Sequence, residues 1–206
     1  PGGSQKFTKT SYDGLGRVIR RVATAVGAAT DGGVKDPRSA SYNPVVNLAD
    51  RDQVALTVFD SSGRAARTRD ALGNWTLAGY DAVDRPVKVV RNASNPTYDA
   101  TSDPGLSHYT PAVNAGPDQD VVSQTVYDAQ GRLAATVDAL GNRTQFSYDA
   151  LGRLVKTIAN VVTGVFDPAY PDRDLVSSMS YDLAGRLAST TDPRSTRTAF
   201  GYDRAG

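Results

Sequence analysis

Apolar and polar residues alternate along short stretches of this chain, and similar stretches recur at regular distances. Leu133, Ala135 and Val137 fall on one side of an extended chain, whereas Ala134 and Thr136 fall on the other. Such stretches span about six residues, are rich in Thr, Val, Tyr and Phe, and end at Gly, Asp or Asn. Because this pattern is typical of half-buried strands, it predicts a series of short β-strands separated by tight turns.

A hexapeptide of the form aromatic-Asp-x-x-Gly-Arg lies between successive strands. It occurs six times, once with Asp84 in place of Gly, and a seventh copy begins near the end of the sequence. Its aromatic residues lie 47, 21, 47, 21, 33 and 21 residues apart, so the sequence has a 21-residue repeat unit. The residues that we assign to this structural repeat are Tyr12, Asp13, Gly16, Arg17, Phe59, Asp60, Gly63, Arg64, Tyr80, Asp81, Arg85, Tyr127, Asp128, Gly131, Arg132, Tyr148, Asp149, Gly152, Arg153, Tyr181, Asp182, Gly185, Arg186, Tyr202 and Asp203.

The Asp-x-x-Gly spacing predicts the local structure of each turn. Asp at the first position accepts hydrogen bonds from the backbone N–H groups ahead of it, and Gly at the fourth adopts a left-handed conformation before a bulge. A second turn follows the same rule at 70–74, 138–142 and, in diverged form, 192–196. We expect Asp84 and Ser195 to be left-handed where they replace Gly. We also expect the hexapeptide arginines to pair with Asp of adjacent turns along one rim.

The order strand, turn, strand, turn predicts an all-β antiparallel meander. We expect about thirteen strands in one long, curved, spiralling sheet, because open twisted sheets rarely pass about ten strands without curling. Three insertions, at about 24–53, 92–120 and 160–175, replace the second turn in alternate repeat units. They are predicted to be surface loops on one edge of the sheet. We interpret residues 1–206 as a single domain cut from a longer repeat array.

The amino-acid composition excludes several kinds of functional site and partner. The chain has no Cys and a single His, which excludes disulfides, thiolate metal sites and multi-histidine metal sites. All 22 acidic residues are Asp, and the formal net charge of +1 is far from the basic field of a dedicated nucleic-acid binder. No apolar run approaches the roughly 18 residues of a membrane span. The sequence therefore predicts no cofactor, no nucleic-acid partner and no membrane span.

No catalytic residue is predicted. His108 lies in a polar loop, and we interpret it as a solvated histidine, because no nucleophile motif such as Gly-x-Ser-x-Gly is present. Some insertion acids could hold calcium, but none follows a known calcium-loop pattern, and turn or solubility roles are favoured. These acids are Asp118, Asp120, Asp167, Asp172 and Asp174.

Trp75 and three glycosylation sequons are the other features that suggest a ligand. Trp75 stands where two repeat copies have Arg, and we expect it to pack against an insertion loop, with sugar stacking as the alternative. The sequons begin at Asn74, Asn92 and Asn142, and we interpret them as by-products of the turn sequence.

The hexapeptide Tyr-Asp-x-x-Gly-Arg followed by Leu or Val, with Asp-x-x-Gly-Asn about ten residues on, resembles the YD repeat of the rearrangement-hotspot (RHS) family. The resemblance covers about residues 5–206 apart from the insertions. Members of that family include bacterial polymorphic toxins, C components of insecticidal toxin complexes, and teneurins. Their repeats form a sheet that spirals into a hollow shell, which in the toxins encloses a C-terminal effector. The present sequence is too short to close such a shell, and we expect it to supply part of one.

The resemblance implies a non-enzymatic structural module of a secreted or surface-exposed bacterial protein. We expect a section of a toxin-encapsulating wall or of an extended extracellular scaffold. Its expected partners are the remainder of the same repeat array, or other copies of itself, through edge strands; an encapsulated polypeptide or a surface glycan is a further candidate. The alternative is an extracellular filament, or an adhesin-type module that recognises glycans or a receptor through its insertion loops.

Overall fold

The structure, a computed structural model, describes residues 5–26, 53–95, 98–101, 103, 105–111, 116 and 118–203. Thirteen β-strands and no helices occur in these residues, so no described helix could cross a membrane. The strands form one sheet in the order of the chain, which confirms the predicted all-β meander. Their bounds are β1 (Gln5–Tyr12), β2 (Val18–Val26), β3 (Gln53–Phe59), β4 (Ala65–Arg69), β5 (Trp75–Tyr80), β6 (Pro86–Arg91), β7 (Val121–Tyr127), β8 (Leu133–Val137), β9 (Arg143–Tyr148), β10 (Leu154–Ala159), β11 (Leu175–Tyr181), β12 (Leu187–Thr191) and β13 (Arg197–Ala199).

Two kinds of connection alternate along the sheet. Hexapeptide turns join β1 to β2, β3 to β4, and so on to β11 and β12, whereas second turns or insertions make the intervening connections. The two long described connections span residues 92–120 and 160–174. Because neighbouring strands are antiparallel, each of these insertions leaves the sheet at the same edge as the second turns beside it. The first predicted insertion falls mainly on residues 27–52, outside the described residues, and the spiral course of the sheet stays a prediction.

Contacts group the chain into two compact units, Pro1–Val122 and Ser123–Gly206, and the single-domain interpretation stays a prediction. The core of the first unit combines strand and insertion residues. Leu77 of β5 and Val90 of β6 are fully buried, and so are Ala100 and Leu106 of the insertion at 92–120. This insertion is a loop at the predicted edge, but it is not wholly at the surface, because several of its apolar residues are buried. Its buried apolar residues cover one face of the sheet.

The insertion approaches the sheet closely at Gly79. A Cβ atom at Gly79 would lie 2.8 Å from the backbone of Gly105, so a side chain at this position would displace the loop. The half-buried ammonium group of Lys88 donates to the carbonyl oxygens of Leu106, at 2.8 Å, and Tyr109, at 3.3 Å. Glycine on the strand and a lysine that satisfies loop carbonyls together hold the insertion against β5 and β6.

The second compact unit has a smaller buried interior. Ala135 of β8 is fully buried, and Ile158 of β10 is almost so. The hydroxyl groups of Ser180 and Ser189 share a hydrogen bond of 2.8 Å between β11 and β12. Most other strand residues described in this unit are half-buried.

Candidate functional site

Each hexapeptide turn is closed by its Asp side chain. In the turn that begins at Asp149, Oδ1 accepts hydrogen bonds from the backbone N–H groups of Leu151, at 3.0 Å, and Arg153, at 2.9 Å. Oδ2 accepts a third bond from Nε of the Arg153 side chain at 2.7 Å. The two backbone bonds are those that the Asp-x-x-Gly spacing predicts. The same three bonds recur in the turns of Asp13, Asp60, Asp81, Asp128 and Asp182.

The second turns use asparagine in place of arginine. In the turn that begins at Asp138, Nδ2 of Asn142 donates to Oδ2 of Asp138 at 2.9 Å, and Asn74 makes the equivalent bond to Asp70 at 3.1 Å. The third sequon residue, Asn92, donates its Nδ2 to the carbonyl oxygen of Asp118 at 2.8 Å. The amides of Asn74 and Asn142 thus help to close their own turns, which supports their interpretation as by-products of the turn sequence, whereas Asn92 joins the two ends of the insertion at 92–120.

The fourth position of each turn has a left-handed backbone. Gly152 has φ of 81°, and Asp84 and Ser195, which replace Gly, have φ of 66° and 65°. The pairing register shifts where each hexapeptide turn joins its strands, for example between Gly79 and Tyr80. These observations confirm the predicted left-handed residue followed by a bulge.

Substitution of Gly152 by Ala is expected to reduce the free energy of unfolding by about 1 kcal/mol, because a side chain is disfavoured at positive φ. No atom lies within 4 Å of the Cβ that would be added, so the expected loss comes from the backbone alone. Urea denaturation followed by circular dichroism measures it. Gly14→Ala is the matched control, since Gly14 also has open space around it but does not have positive φ. Equal losses in the two variants would contradict the assignment.

The arginine of each hexapeptide pairs mainly with the Asp of its own turn, and the prediction of pairing with adjacent turns is wrong in this respect. Nε of Arg132 lies 2.7 Å from Oδ2 of Asp128, four residues earlier. The hairpin brings these two side chains together, whereas the next hexapeptide turn lies two strands away, at about 10 Å. Arg64 bonds to its own Asp60 and also reaches Asp84 of the next turn at 2.8 Å.

In at least five of the six hexapeptides, the outer part of the guanidinium contacts the aromatic ring of the next hexapeptide. Arg153 places its guanidinium carbon 4.4 Å from the centre of the Tyr181 ring, a cation–π arrangement. The hydroxyl of Tyr181 donates to the carbonyl oxygen of Leu154 at 2.8 Å, so the aromatic residue is held at both ends. We call this series of contacts the arginine ladder. Its described stacked pairs are Arg17 with Phe59, Arg64 with Tyr80, Arg132 with Tyr148, Arg153 with Tyr181 and Arg186 with Tyr202.

The turn hydrogen bonds stabilise the ionised carboxylates. The backbone N–H of Arg153 is the main cause that lowers the pKa of Asp149 below its ordinary value, and the Arg153 side chain adds to it. At Asp60, burial raises the pKa, but the backbone and side-chain hydrogen bonds from Arg64 outweigh it and the pKa is lowered. The turns therefore depend on charged aspartates.

Two aspartates fasten the described insertions to the sheet. Asp174 is buried just before β11, and its carboxylate accepts from the backbone N–H groups of Val162, at 2.7 Å, and Gly164, at 2.8 Å. Burial raises the pKa of Asp174, but these bonds and those from Thr163 outweigh it and lower the pKa to about 2. Asp120, just before β7, accepts in the same way from the N–H of Ser94, at 2.9 Å, and from the Tyr109 hydroxyl.

The first residue of each of the two described insertions completes this fastening. The backbone N–H of Asp120 donates to the carbonyl oxygen of Asn92 at 3.1 Å, and that of Asp174 donates to Asn160 at 3.0 Å. All four residues have positive φ, close to 50°. These insertion acids therefore bind backbone groups of their own loops. Among the described residues, no three His, Cys, Asp or Glu side chains cluster as metal ligands would.

Sequence reasoning did not find this Asn–Asp pair. The signal was present: Asp52, Asp120 and Asp174 each stand seven residues before the aromatic residue of the next hexapeptide, in every repeat unit that carries an insertion. Asn92 and Asn160 likewise follow the preceding hexapeptide arginine by seven residues.

His108 lies on the surface of the insertion at 92–120, with 86% of its side chain exposed. Ser107 and Asp103 are nearby, but Oγ of Ser107 donates to Asp103 at 2.8 Å, and the backbone N–H of His108 donates to the same carboxylate at 2.8 Å. Burial, together with the hydrogen bond to Asp103, raises the pKa of Tyr98 to about 12. Asp103 thus closes a turn of the loop. The exposed His108 side chain agrees with its interpretation as a solvated loop residue.

Trp75 packs against the buried cluster that the insertion at 92–120 completes, as predicted. Its carbonyl oxygen accepts a hydrogen bond of 2.9 Å from the backbone N–H of Ala93, the second residue of the insertion. The guanidinium carbon of Arg67 lies 5.2 Å from the centre of its ring. The indole is half-buried, and part of it also lines an open groove at this edge.

Repeated Asp-closed turns on a meander define a β-repeat protein, and comparison with known proteins identifies the type of repeat. The family model of the RHS repeat matches residues 127–160 and 181–206, which contain three of the hexapeptides. The fold is similar to part of the Photorhabdus luminescens Tc holotoxin pore, with a TM-score of 0.53 and 18% identity over 92% of this chain. Residues 127–160 and 181–206 therefore match RHS (YD) repeats, and the resemblance inferred from the hexapeptides is confirmed.

A curated relative extends the comparison over more of the sequence. The double-stranded DNA deaminase toxin A of Burkholderia cenocepacia (strain H111) is 26% identical over 177 residues, which are 85% of this chain. The chain spans only 11% of that relative and 8% of the matched holotoxin chain. The similarity therefore concerns a repeat segment of much longer proteins.

Proposed function

We propose that this chain is a non-enzymatic wall segment of a larger secreted or surface-exposed bacterial RHS-repeat protein, and that the wall encloses a polypeptide cargo. An extended extracellular scaffold would use the same segment without cargo. The proposed partners are the remaining repeats of the same array, which continue the sheet at its edge strands.

The arginine ladder is the observation that carries this proposal. Each described rung uses an aspartate and an arginine from one repeat unit and an aromatic ring from the next, as in Asp149, Arg153 and Tyr181. Such a rung does not form a substrate site, because its polar atoms close the turn and contact the neighbouring repeat unit. Repetition of such contacts suits a protein whose role is to extend a continuous surface.

The similar proteins support the same direction. One is a toxin by name and the other is part of a holotoxin, and in both the matching segment is a small part of a long chain. A repeat segment within a long toxin is suited to hold or surround the part that acts on the target.

Limited trypsin digestion of the full-length natural protein tests the proposal. We expect the part of that protein that lies outside the repeats to resist trypsin while the wall is intact. The double variant Arg132→Ala, Arg153→Ala removes two rungs in the second compact unit and is expected to expose it to cleavage, as seen by gel electrophoresis and mass spectrometry. Arg194→Ala is the control, because Arg194 is a turn arginine outside the ladder. Rapid cleavage of the same polypeptide in the unmutated protein would contradict enclosure.

A further inference from the structure

A groove opens at the insertion edge of the first compact unit, between the second turn at 70–74 and the insertion at 92–120. Its volume is about 540 Å³, which is within the range of small-molecule sites. A wall function does not require this groove, because the hydrogen bonds that close the turn and fasten the insertion do not depend on it. The lining residues that matter for its chemistry are Arg69, Asn74, Trp75, Asn92, Asp118 and Gln119.

The groove coincides with a departure from the repeat pattern. Arg69 of β4 and Trp75 of β5 are direct cross-strand partners, so a guanidinium and an indole stand side by side on one face. The turn between them is closed by the same hydrogen bonds as the other second turns, so turn formation does not require either side chain. The equivalent pairs in the second unit are Val137 with Arg143 and Thr191 with Arg197.

The walls of the groove are held in place before any ligand binds. Trp75 is fixed by its packing against the buried cluster and by the Arg67 guanidinium near its ring. The Asn92 amide also lines the groove and donates to the carbonyl oxygen of Asp118, a residue that is exposed. A preformed site of this kind loses little conformational entropy on binding.

The chemistry of these side chains points to a carbohydrate. An indole offers a flat apolar surface for the C–H face of a pyranose ring, and carboxamide, guanidinium and carboxylate groups supply both donors and acceptors for its hydroxyl groups. One arginine and one aspartate leave the groove without a net charge, which disfavours a polyanion such as nucleic acid. We propose that this groove binds a neutral oligosaccharide.

Fluorescence titration of the 206-residue chain tests the proposal directly, because Trp75 is the only tryptophan in the sequence. The probes are cellotetraose, maltotetraose and N-acetylchitotetraose. We expect at least one of them to change the emission saturably, with half-saturation at roughly millimolar concentration. Absence of a saturable change with all three would overturn the proposal. So would an equal change with sodium sulfate, because the groove would then be a simple anion site.

Two variants that keep the reporter locate the binding. Arg69→Ala and Asp118→Ala each remove a polar wall group without touching the buried cluster, and each is expected to weaken binding at least about tenfold. Arg197→Ala, at the repeat position equivalent to Trp75 in the second unit, is the control and is expected to bind as the parent does. Unchanged affinity in both groove variants would overturn the proposal. The trypsin experiment on the wall is independent of this result, so the two proposals can fail separately.

Discussion

Replacement of Leu106 by Ala is expected to lower the free energy of unfolding by about 2–5 kcal/mol, the range for removal of a fully buried leucine side chain. Leu106 is completely enclosed, although it belongs to an insertion and not to a strand. It also has φ of 52°, a backbone conformation that leucine rarely adopts, so its burial must offset that strain. Loss of the side chain is therefore expected to detach the insertion from the face of β5 and β6.

Guanidinium denaturation measures this loss, with Trp75 fluorescence as the local signal, since Trp75 packs against the same cluster. Leu72→Ala is the matched control in the same compact unit. Leu72 lies at the tip of a second turn with 85% of its surface exposed, and its replacement is expected to change stability by at most about 0.5 kcal/mol. Similar losses in the two variants would show that the insertion does not form part of the core.

Acidification is expected to destabilise the whole array steeply between about pH 4 and pH 2. The pKa values of the turn aspartates, among them Asp13, Asp81 and Asp149, are lowered on folding, chiefly by backbone N–H donors. A carboxylate whose pKa is lower in the folded state stabilises the fold above its unfolded pKa. That contribution is lost as the pH falls through the lowered value. Asp174, with a pKa of about 2, is expected to be among the last to lose its charge.

Thermal melts at pH 7, 5, 4, 3 and 2 test this expectation. The midpoint should be nearly constant above about pH 5 and should fall sharply below pH 4. Melts at pH 7 with 0.5 M sodium chloride separate the causes, because salt screens the exposed ion pairs but leaves the backbone hydrogen bonds intact. A midpoint at pH 2 equal to that at pH 7 would show that the aspartates do not hold the turns. A salt effect as large as the acid effect would assign the stability to the ion pairs.

The turns were predictable from sequence because their determinants are local. Asp at the first position and a left-handed residue at the fourth suffice to close each hairpin, and the rule held at Asp84 and Ser195, where Gly is missing. Strand order followed, since tight turns between consecutive strands leave the meander as the simplest topology. The partner of the arginine was predicted less well. Sequence position did not show that its Nε would reach back across the hairpin while its outer nitrogens lie over the next aromatic ring.

The insertions were predicted least well, for a physical reason. Their many Pro, Gly, Asn and Asp residues are typical of exposed loops, and a few apolar residues such as Ala100, Leu106 and Tyr109 carry no periodic pattern. Burial of these residues depends on a long-range approach, which Gly79 permits on a strand that otherwise has the ordinary alternation. Such an approach is set by tertiary contacts and leaves no local signature.

The alternation of two strands in every 21-residue repeat unit has a consequence for how such proteins change length. Gain or loss of one whole unit moves the chain by an even number of strands, about 10 Å along the sheet, and leaves the next strand running in its original direction. Every insertion downstream then emerges on the side where it emerged before. Gain or loss of whole 21-residue units can therefore change the length of the sheet without reversing the direction of the strands that follow.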